Sequence, residues 1–138
     1  MVESLGRDAN KFDVIIPVPL SKKRERERGF NQATLLAKEL SEVIREKHKI
    51  DLPVCDKILV RIKNTAPQVN MSHEARIANQ KDSYKICDKF DISQIKQKRI
   101  LIVDDVMTSG ATANECAKVL KDAGVKSVSV VVIAKVGD

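Results

Sequence analysis

Two adjacent carboxylates, Asp104 and Asp105, follow a short apolar run and precede a loop rich in hydroxyl groups. The run, Ile100 to Val103, is typical of a strand that is buried on both faces of a parallel sheet. Because side chains alternate along a strand, the two carboxylates are expected to point to opposite sides. One of them can then face a ligand while its neighbour supports it or meets a cation.

The loop after the aspartates has the composition of a phosphate cradle. Thr108, Ser109 and Thr112 supply hydroxyl groups, Gly110 allows a tight backbone path, and Ala111 leads into a segment with helical spacing. Free backbone N–H groups and the positive end of the helix dipole favour an anion at such a position. The dipole stabilises an anion at an exposed site by only about 0.3–1 kcal/mol, so several N–H and O–H donors must bind the anion together.

Three other interpretations of this segment compete with a phosphate site. A strand ending in two aspartates also occurs as a Walker B element, but the chain has no G-x-x-x-x-G-K-[ST] sequence to accompany it. A response-regulator receiver carries its acidic pair near the start of the domain, whereas here only a short stretch follows Asp105. The aspartates could also cap a helix without binding anything, which the loop of hydroxyls and glycine makes less favourable.

The elements that must position this loop alternate between apolar strands and amphipathic helices. This alternation predicts an α/β fold, a mostly parallel sheet flanked by helices, in a single domain over residues 1–138. Ligands of such sheets bind at the carboxyl ends of the strands. The predicted strands are Phe12–Pro19, Lys57–Arg61, Ile100–Val103 and Val128–Ile133, and the predicted helices are Asn31–Lys47, Ser72–Ala78 and Ala113–Ala123 with Gly124 as the C-terminal cap.

Composition excludes several classes of protein. The 138 residues contain no stretch near the roughly 20 apolar residues of a membrane helix, and no apolar signal core begins the chain, so a cytoplasmic protein without a membrane partner is expected. The three cysteines form no C-x-x-C pair, which argues against a zinc site or a disulfide framework. His48 and His73 have no partners at metal-ligand spacing and are expected at the surface.

The net charge of +6 favours an anionic partner, either a nucleic acid or a phosphorylated small molecule. Single-stranded nucleic acid is bound largely by stacking on aromatic side chains. Three phenylalanines, one tyrosine and no tryptophan offer little for stacking. The composition therefore favours the small anion without excluding the nucleic acid.

The segment Ile100–Thr112 resembles, at every position, the phosphoribosyl pyrophosphate (PRPP) signature of type I phosphoribosyltransferases. The remainder, from about Asp13 to Ala134, is similar to the competence protein F (ComF) family. Many members of that family begin with a cysteine-rich zinc-binding segment, which this sequence lacks. The matching segments are Pro17–Ser21, Arg28–Gln32, Leu35–Ala37 and the single residues Arg61, Thr65, Gln68 and Arg76.

The resemblance implies roles for two loops, the one that contains the aspartates and the one that follows the first strand. Asp104 and Asp105 would contact the ribose hydroxyls, directly or through Mg²⁺, and Thr108 to Thr112 would hold the 5′-phosphate. Leu20, Ser21 and Lys22 would belong to the pyrophosphate loop, although an ordinary strand exit explains them equally well.

Three arginines are candidates for contact with the substrate. The mostly basic run Lys22–Arg28 contains interleaved glutamates and is typical of a solvated face. Arg28 is the candidate within it, because the neighbouring Gly29 allows close approach of the backbone and arginine binds phosphate with two donors. Arg61 and Arg76 bound a segment that resembles the catalytic loop which closes over the substrate in this superfamily. A surface hairpin is the alternative interpretation of that segment.

The resemblance implies a transferase that displaces pyrophosphate from PRPP with the help of Mg²⁺. It does not identify the acceptor, since no base-recognition motif is visible. A non-catalytic alternative keeps the fold and uses it to sense PRPP or to bind nucleic acid during DNA uptake. Type I relatives are often dimers, which favours a homodimer.

Overall fold

The computed structural model describes residues 8–20, 22–62, 83–104 and 111–132. A central sheet of three strands lies in these ranges, in the order β1 (Val14–Pro17), β4 (Arg99–Asp104), β5 (Ser127–Val132). Both pairs are parallel, with Ile15 opposite Leu101 and Ile102 opposite Val130. The prediction of a parallel sheet with buried strands is confirmed for β1 and β4, whose apolar residues, except Val14 at the start of β1, are almost fully buried.

A separate two-stranded ribbon stands beside the sheet. It consists of β2 (Leu59–Arg61) and β3 (Tyr84–Ile86), which pair antiparallel so that Arg61 lies opposite Tyr84. The predicted strand at Lys57–Arg61 therefore exists, but it pairs within this ribbon and is not part of the parallel sheet. Its partner strand follows the segment 63–82 in the chain.

Three helices occur in the described ranges, α1 (Lys22–Arg28), α2 (Gln32–His48) and α3 (Ala111–Asp122). Single 3₁₀ turns lie at Ala9–Lys11 and Ile92–Gln94. The predictions of α2 and α3 are confirmed to within two residues at each end. The predicted helix Ser72–Ala78 lies outside the described residues.

Helix α2 is capped by Asn31, whose side-chain oxygen accepts a hydrogen bond from the Ala33 N–H at 3.0 Å. The amide of the same side chain donates to the Val18 carbonyl at 3.1 Å, which ties the start of α2 to the exit of β1. Helix α3 is followed by Gly124 with a φ of +100°, as the predicted cap requires.

Helix α1 was not predicted, because the run Lys22–Arg28 lacks the apolar periodicity that identifies a packed helix. Lysine, arginine and glutamate are nevertheless good helix formers, so a short helix can form here without an apolar face. Gly29 ends the helix with a φ of +83°, and its N–H donates to the Glu25 carbonyl at 2.7 Å. A Cβ at Gly29 would meet nothing within 4 Å, so the structure requires this glycine for its backbone conformation and shows no close approach.

The two faces of the sheet bury different sets of residues. On one face α2 packs over Ile15, Leu101 and Val103, and on the other α3 and the ribbon pack over Ile16, Ile100 and Ile102. Strand β5 is less covered than its apolar sequence predicts, with Val130 exposed by 41%. It is the edge of the described sheet, and an edge strand has a neighbour on one side only.

Candidate functional site

The predicted ligand loop begins at the carboxyl end of β4. Asp104 is the last residue of that strand and is only 7% exposed. By alternation it lies on the α3 face with Ile100 and Ile102, and its charge acts on Tyr84 and Cys116 on that same face. The predicted opposite orientation of the two carboxylates stays a prediction, because it requires the position of both. Asp105 lies outside the described residues.

The helix that the sequence placed after the loop is present. Ala111 is the first residue of α3 and Thr112 the second, so the N–H groups at the start of α3 have no partners within the helix. Thr108, Ser109 and Gly110 lie outside the described residues. The part of the cradle that is described therefore consists of the beginning of α3 and the half-buried Thr112.

The exit of β1 lies beside the end of β4. The Val18 N–H donates to the Val103 carbonyl at 2.9 Å, which holds the two strand ends together. Leu20 follows two residues later and is half-buried, and Lys22 begins α1. Ser21 lies outside the described residues. Both predicted loops therefore leave the same edge of the sheet, as the strand-end rule for ligand sites requires.

A cavity of about 160 Å³ lies between the exit of β1 and the ribbon. It brings together Leu20 and Arg61, which are far apart in the sequence and were both predicted to meet the substrate. Two carboxylates on its wall, Glu25 and Asp56, were not predicted to take part. The lining residues are Pro17, Pro19, Leu20, Glu25, Asn31, Thr34, Asp56, Leu59, Val60 and Arg61.

Arg61 also contacts the second strand of the ribbon. Its guanidinium carbon lies 5.5 Å from the centre of the Tyr84 ring, within the range of a cation–π contact. Burial raises the pKa of Tyr84 to about 12, with smaller contributions from Cys116 and Asp104, while Arg61 and Thr112 act to lower it. Sequence reasoning missed Tyr84, and the one signal that could have found it is that it is the only tyrosine in the chain.

Cys116 faces the same cluster from α3 and is fully buried. Burial raises the pKa of its thiol far above the ordinary value, and the Asp104 charge raises it further. A thiol in these surroundings stays protonated and is a poor nucleophile. Cys116 is therefore a packing residue of the core, as expected for a cysteine outside any metal motif.

The remaining predicted positions are less informative. Arg28 is the last residue of α1 and is exposed, and it does not line the cavity. Arg76 and His73 lie outside the described residues. His48 ends α2 and is half-buried.

Among the residues that the structure describes, no group of three or more acidic, histidine or cysteine side chains could hold a metal ion. Mg²⁺ that arrives with a substrate is usually bound by one or two carboxylates together with substrate phosphates. The buried Asp104 and the cavity carboxylates Glu25 and Asp56 could supply such oxygen ligands. In the same described part of the chain, no helix has both the length and the apolar character needed to cross a membrane.

Comparison with known proteins agrees with this geometry. The family model for the phosphoribosyl transferase domain matches residues 4–138. The chain belongs to the phosphoribosyl transferase domain family. Since the match covers nearly the whole chain, the predicted type I phosphoribosyltransferase fold is confirmed.

Curated relatives of this phosphoribosyl transferase domain are competence and DNA utilization proteins. Competence protein F of Haemophilus influenzae is 36% identical over 118 residues, which cover 86% of this chain and 48% of the relative. Competence protein ComFC of Bacillus subtilis is 32% identical, with 83% of this chain and 41% of the relative covered. The resemblance to the competence protein F family is thereby confirmed, and the chain spans about half the length of these curated relatives.

Solved structures with the same fold are phosphoribosyltransferases. The purine phosphoribosyltransferase of Pyrococcus horikoshii superposes with a TM-score of 0.57 at 21% identity, covering 97% of this chain and 67% of that one. The adenine phosphoribosyltransferase of Rhodothermus marinus gives 0.55 at 17% identity, covering 97% and 64%. At these identities the likeness shows the fold of the domain.

Proposed function

We propose that this domain binds PRPP together with Mg²⁺ and transfers the phosphoribosyl group to an acceptor with release of pyrophosphate. The observation that supports the proposal is that the exit of β1 and the end of β4 are joined at one edge of the sheet, from which the chain leads to the start of α3. Arg61 lines the cavity beside the exit of β1, and its contact with Tyr84 brings it close to Asp104. A buried carboxylate, the N–H groups of the first turn of α3 and a guanidinium are groups that can bind a phosphorylated sugar.

In the proposed complex each group has one task. Asp104 and Asp105 bind the ribose hydroxyls, and Thr108, Ser109, Gly110, Ala111 and Thr112 hold the 5′-phosphate at the start of α3. Leu20, Ser21 and Lys22 hold the pyrophosphate through their backbone N–H groups. Arg61 faces the cavity beside that loop, and Arg76 belongs to the segment proposed to close over the substrate.

In the reaction, the bond between the anomeric carbon and the pyrophosphate oxygen breaks and a bond from the acceptor to the same carbon forms. The electron pair of the broken bond leaves with pyrophosphate, and the acceptor loses a proton. Bound Mg²⁺ would neutralise the charge on the departing pyrophosphate. The protein orients the ribose, supplies positive charge at Arg61 and Arg76, and excludes water from the reacting carbon.

The proposal is tested with the variant Asp105→Asn. We expect PRPP affinity or turnover to fall about tenfold or more, equivalent to about 1.4 kcal/mol. Isothermal titration of PRPP at fixed Mg²⁺ measures the affinity, and a screen for released pyrophosphate over amines and nucleobases measures turnover. Asp122→Asn, at the far end of α3, is the matched control and should bind PRPP like the wild type. Unchanged PRPP binding in Asp105→Asn would remove the aspartate pair from the site.

The second candidate function is a non-catalytic module that senses PRPP or binds nucleic acid in DNA uptake. The observation in its favour is the exposed, largely basic helix α1 in a chain of net charge +6. DNA affinity that falls steeply with salt, without pyrophosphate release under any condition, would support this candidate. Either function is expected in the cytoplasm, and a homodimer is expected for both.

A further inference from the structure

The hydroxyl of Tyr84 is buried and has no hydrogen-bond partner within the described ranges. Tyr84 as a whole is only 4% exposed. A buried hydroxyl without a partner destabilises a folded protein, and such groups are rare enough to need an explanation. No described residue offers a structural explanation for it.

The surroundings of this hydroxyl point to the start of α3. Strand β3 packs against α3, and Arg61 covers the face of the Tyr84 ring at 5.5 Å. The side chain of Thr112 is close enough to lower the pKa of the phenol, although the two groups do not meet hydrogen-bond geometry in this structure. Asp104 is close enough for its charge to raise that pKa. The unpartnered hydroxyl is thus near Thr112, the second residue of α3, which belongs to the proposed 5′-phosphate site.

We propose that Tyr84 is a positioning residue whose hydroxyl donates a hydrogen bond to the Thr112 hydroxyl when an anion is bound at the start of α3. The inference rests on the proposed function, in which Thr112 binds the 5′-phosphate. It adds a residue from the ribbon to a site otherwise built from the sheet and α3.

The chemistry of the threonine hydroxyl explains why the two bonds form together. That hydroxyl has one proton and two lone pairs. When its proton is donated to a phosphate oxygen, its lone pairs are free to accept the Tyr84 proton. Consecutive hydrogen bonds of this kind strengthen each other in a buried site. The phenol therefore directs the Thr112 proton toward the anion and gains its own partner in the same step.

This arrangement predicts that the Tyr84 hydroxyl contributes to binding and not to the stability of the free protein. The variant Tyr84→Phe should weaken PRPP and ribose 5-phosphate by the same factor, roughly fivefold, as expected for one hydrogen bond of ordinary net strength. Pyrophosphate, which lacks the 5′-phosphate, should bind as before. The melting temperature should stay the same or rise, since a buried group without a partner has been removed.

Ser41→Ala is the matched control, because it also removes a single hydroxyl. The Ser41 hydroxyl is partly buried but donates to the Leu52 carbonyl at 2.6 Å. Its removal should lower the melting temperature and leave the binding of all three probes unchanged. Tyr84→Phe should thus weaken binding without lowering the melting temperature, and Ser41→Ala should lower the melting temperature without weakening binding.

A double-mutant cycle with Thr112→Val tests whether Tyr84 acts through Thr112. Once the Thr112 hydroxyl is absent, Tyr84→Phe should change ribose 5-phosphate affinity by less than about twofold. The inference is overturned if Tyr84→Phe lowers ribose 5-phosphate affinity by the same factor with and without Thr112→Val, or if Tyr84→Phe alone binds like the wild type. Neither result contradicts the proposed function. If wild-type protein binds neither PRPP nor ribose 5-phosphate in Mg²⁺, the proposed function itself fails and the inference fails with it.

Discussion

Two aspartates lie at opposite ends of the same pair of strands, and their surroundings differ. Asp13, just before β1, accepts hydrogen bonds from the Arg99 N–H, Nε and Nη2 at 2.7, 3.1 and 3.0 Å. Asp104, at the end of β4, is buried on the α3 face beside Tyr84 and Cys116. The first carboxylate is bound by its own strand neighbour and serves the fold. The second lies at the strand end where a ligand can make use of its charge.

The pKa values express the same contrast. Hydrogen bonds from the Arg99 side chain and backbone lower the pKa of Asp13 from 3.8 to about 2. At the other end of the strands, the Asp104 charge helps to raise the pKa values of Tyr84 and Cys116. At the amino end of the strands the Asp13 charge is compensated by the ion pair with Arg99. At the carboxyl end the Asp104 charge acts on two buried neutral groups.

The largest effect is expected from Asp104→Asn. Because Asp104 is proposed to bind the ribose, PRPP affinity should fall about tenfold or more, equivalent to about 1.4 kcal/mol. Titration calorimetry at fixed Mg²⁺ measures the affinity, and circular dichroism checks that the variant is folded. A folded variant that binds PRPP like the wild type would show that the two ends of the strands do not differ in function.

A smaller effect, on stability alone, is expected from Asp13→Asn. The loss should be about 1 kcal/mol at neutral pH, after allowance for solvent screening of a partly exposed pair. The folded-state pKa is lowered, so the stabilisation is complete above the unfolded pKa near 4 and is lost as the pH falls through about 2. Urea unfolding at a series of pH values should show the wild-type advantage disappear between pH 4 and 2. Weakened PRPP binding by this variant would contradict the division of roles.

The smallest effect is expected from Asp8→Asn. Asp8 pairs with Lys11 at 3.4 Å, but the side chains are 51% and 70% exposed, so the stability change should be less than about 0.5 kcal/mol. Urea unfolding alongside Asp13→Asn gives the comparison. If Asp8→Asn and Asp13→Asn lower the free energy of unfolding equally, the burial of Asp13 and the number of its hydrogen bonds do not explain the effect of replacing it.

The sequence was most informative where the pattern is local. The apolar runs of β1 and β4 and the helical spacing of α2 and α3 each identify their element within a few residues, because burial against a sheet imposes those periods. Helix α1 was not predicted, because its residues are good helix formers but give it no apolar face. The exposure of β5 was not predicted, because the burial of a strand depends on the elements that pack beside it and cannot be judged from its own residues alone.

The candidate site shows the same limit. Asp104 and Thr112 belong to one continuous motif and were found directly. Tyr84 reaches the candidate site through the ribbon, whose pairing of Arg61 with Tyr84 joins residues on either side of the segment 63–82. Asp56, just before the ribbon, lines the cavity. Long-range pairing of this kind has no signature in a single sequence, so the residues it contributes emerged only from the fold.

The central claim is that a sugar phosphate binds at the start of α3, and amide chemical shifts during a titration with ribose 5-phosphate test it most directly. In ¹⁵N-labelled protein the account predicts saturable shifts that are largest at the amides of Thr108 to Ala113. Shifts confined to the basic helix Lys22–Arg28, or no shifts at saturating ribose 5-phosphate, would contradict it.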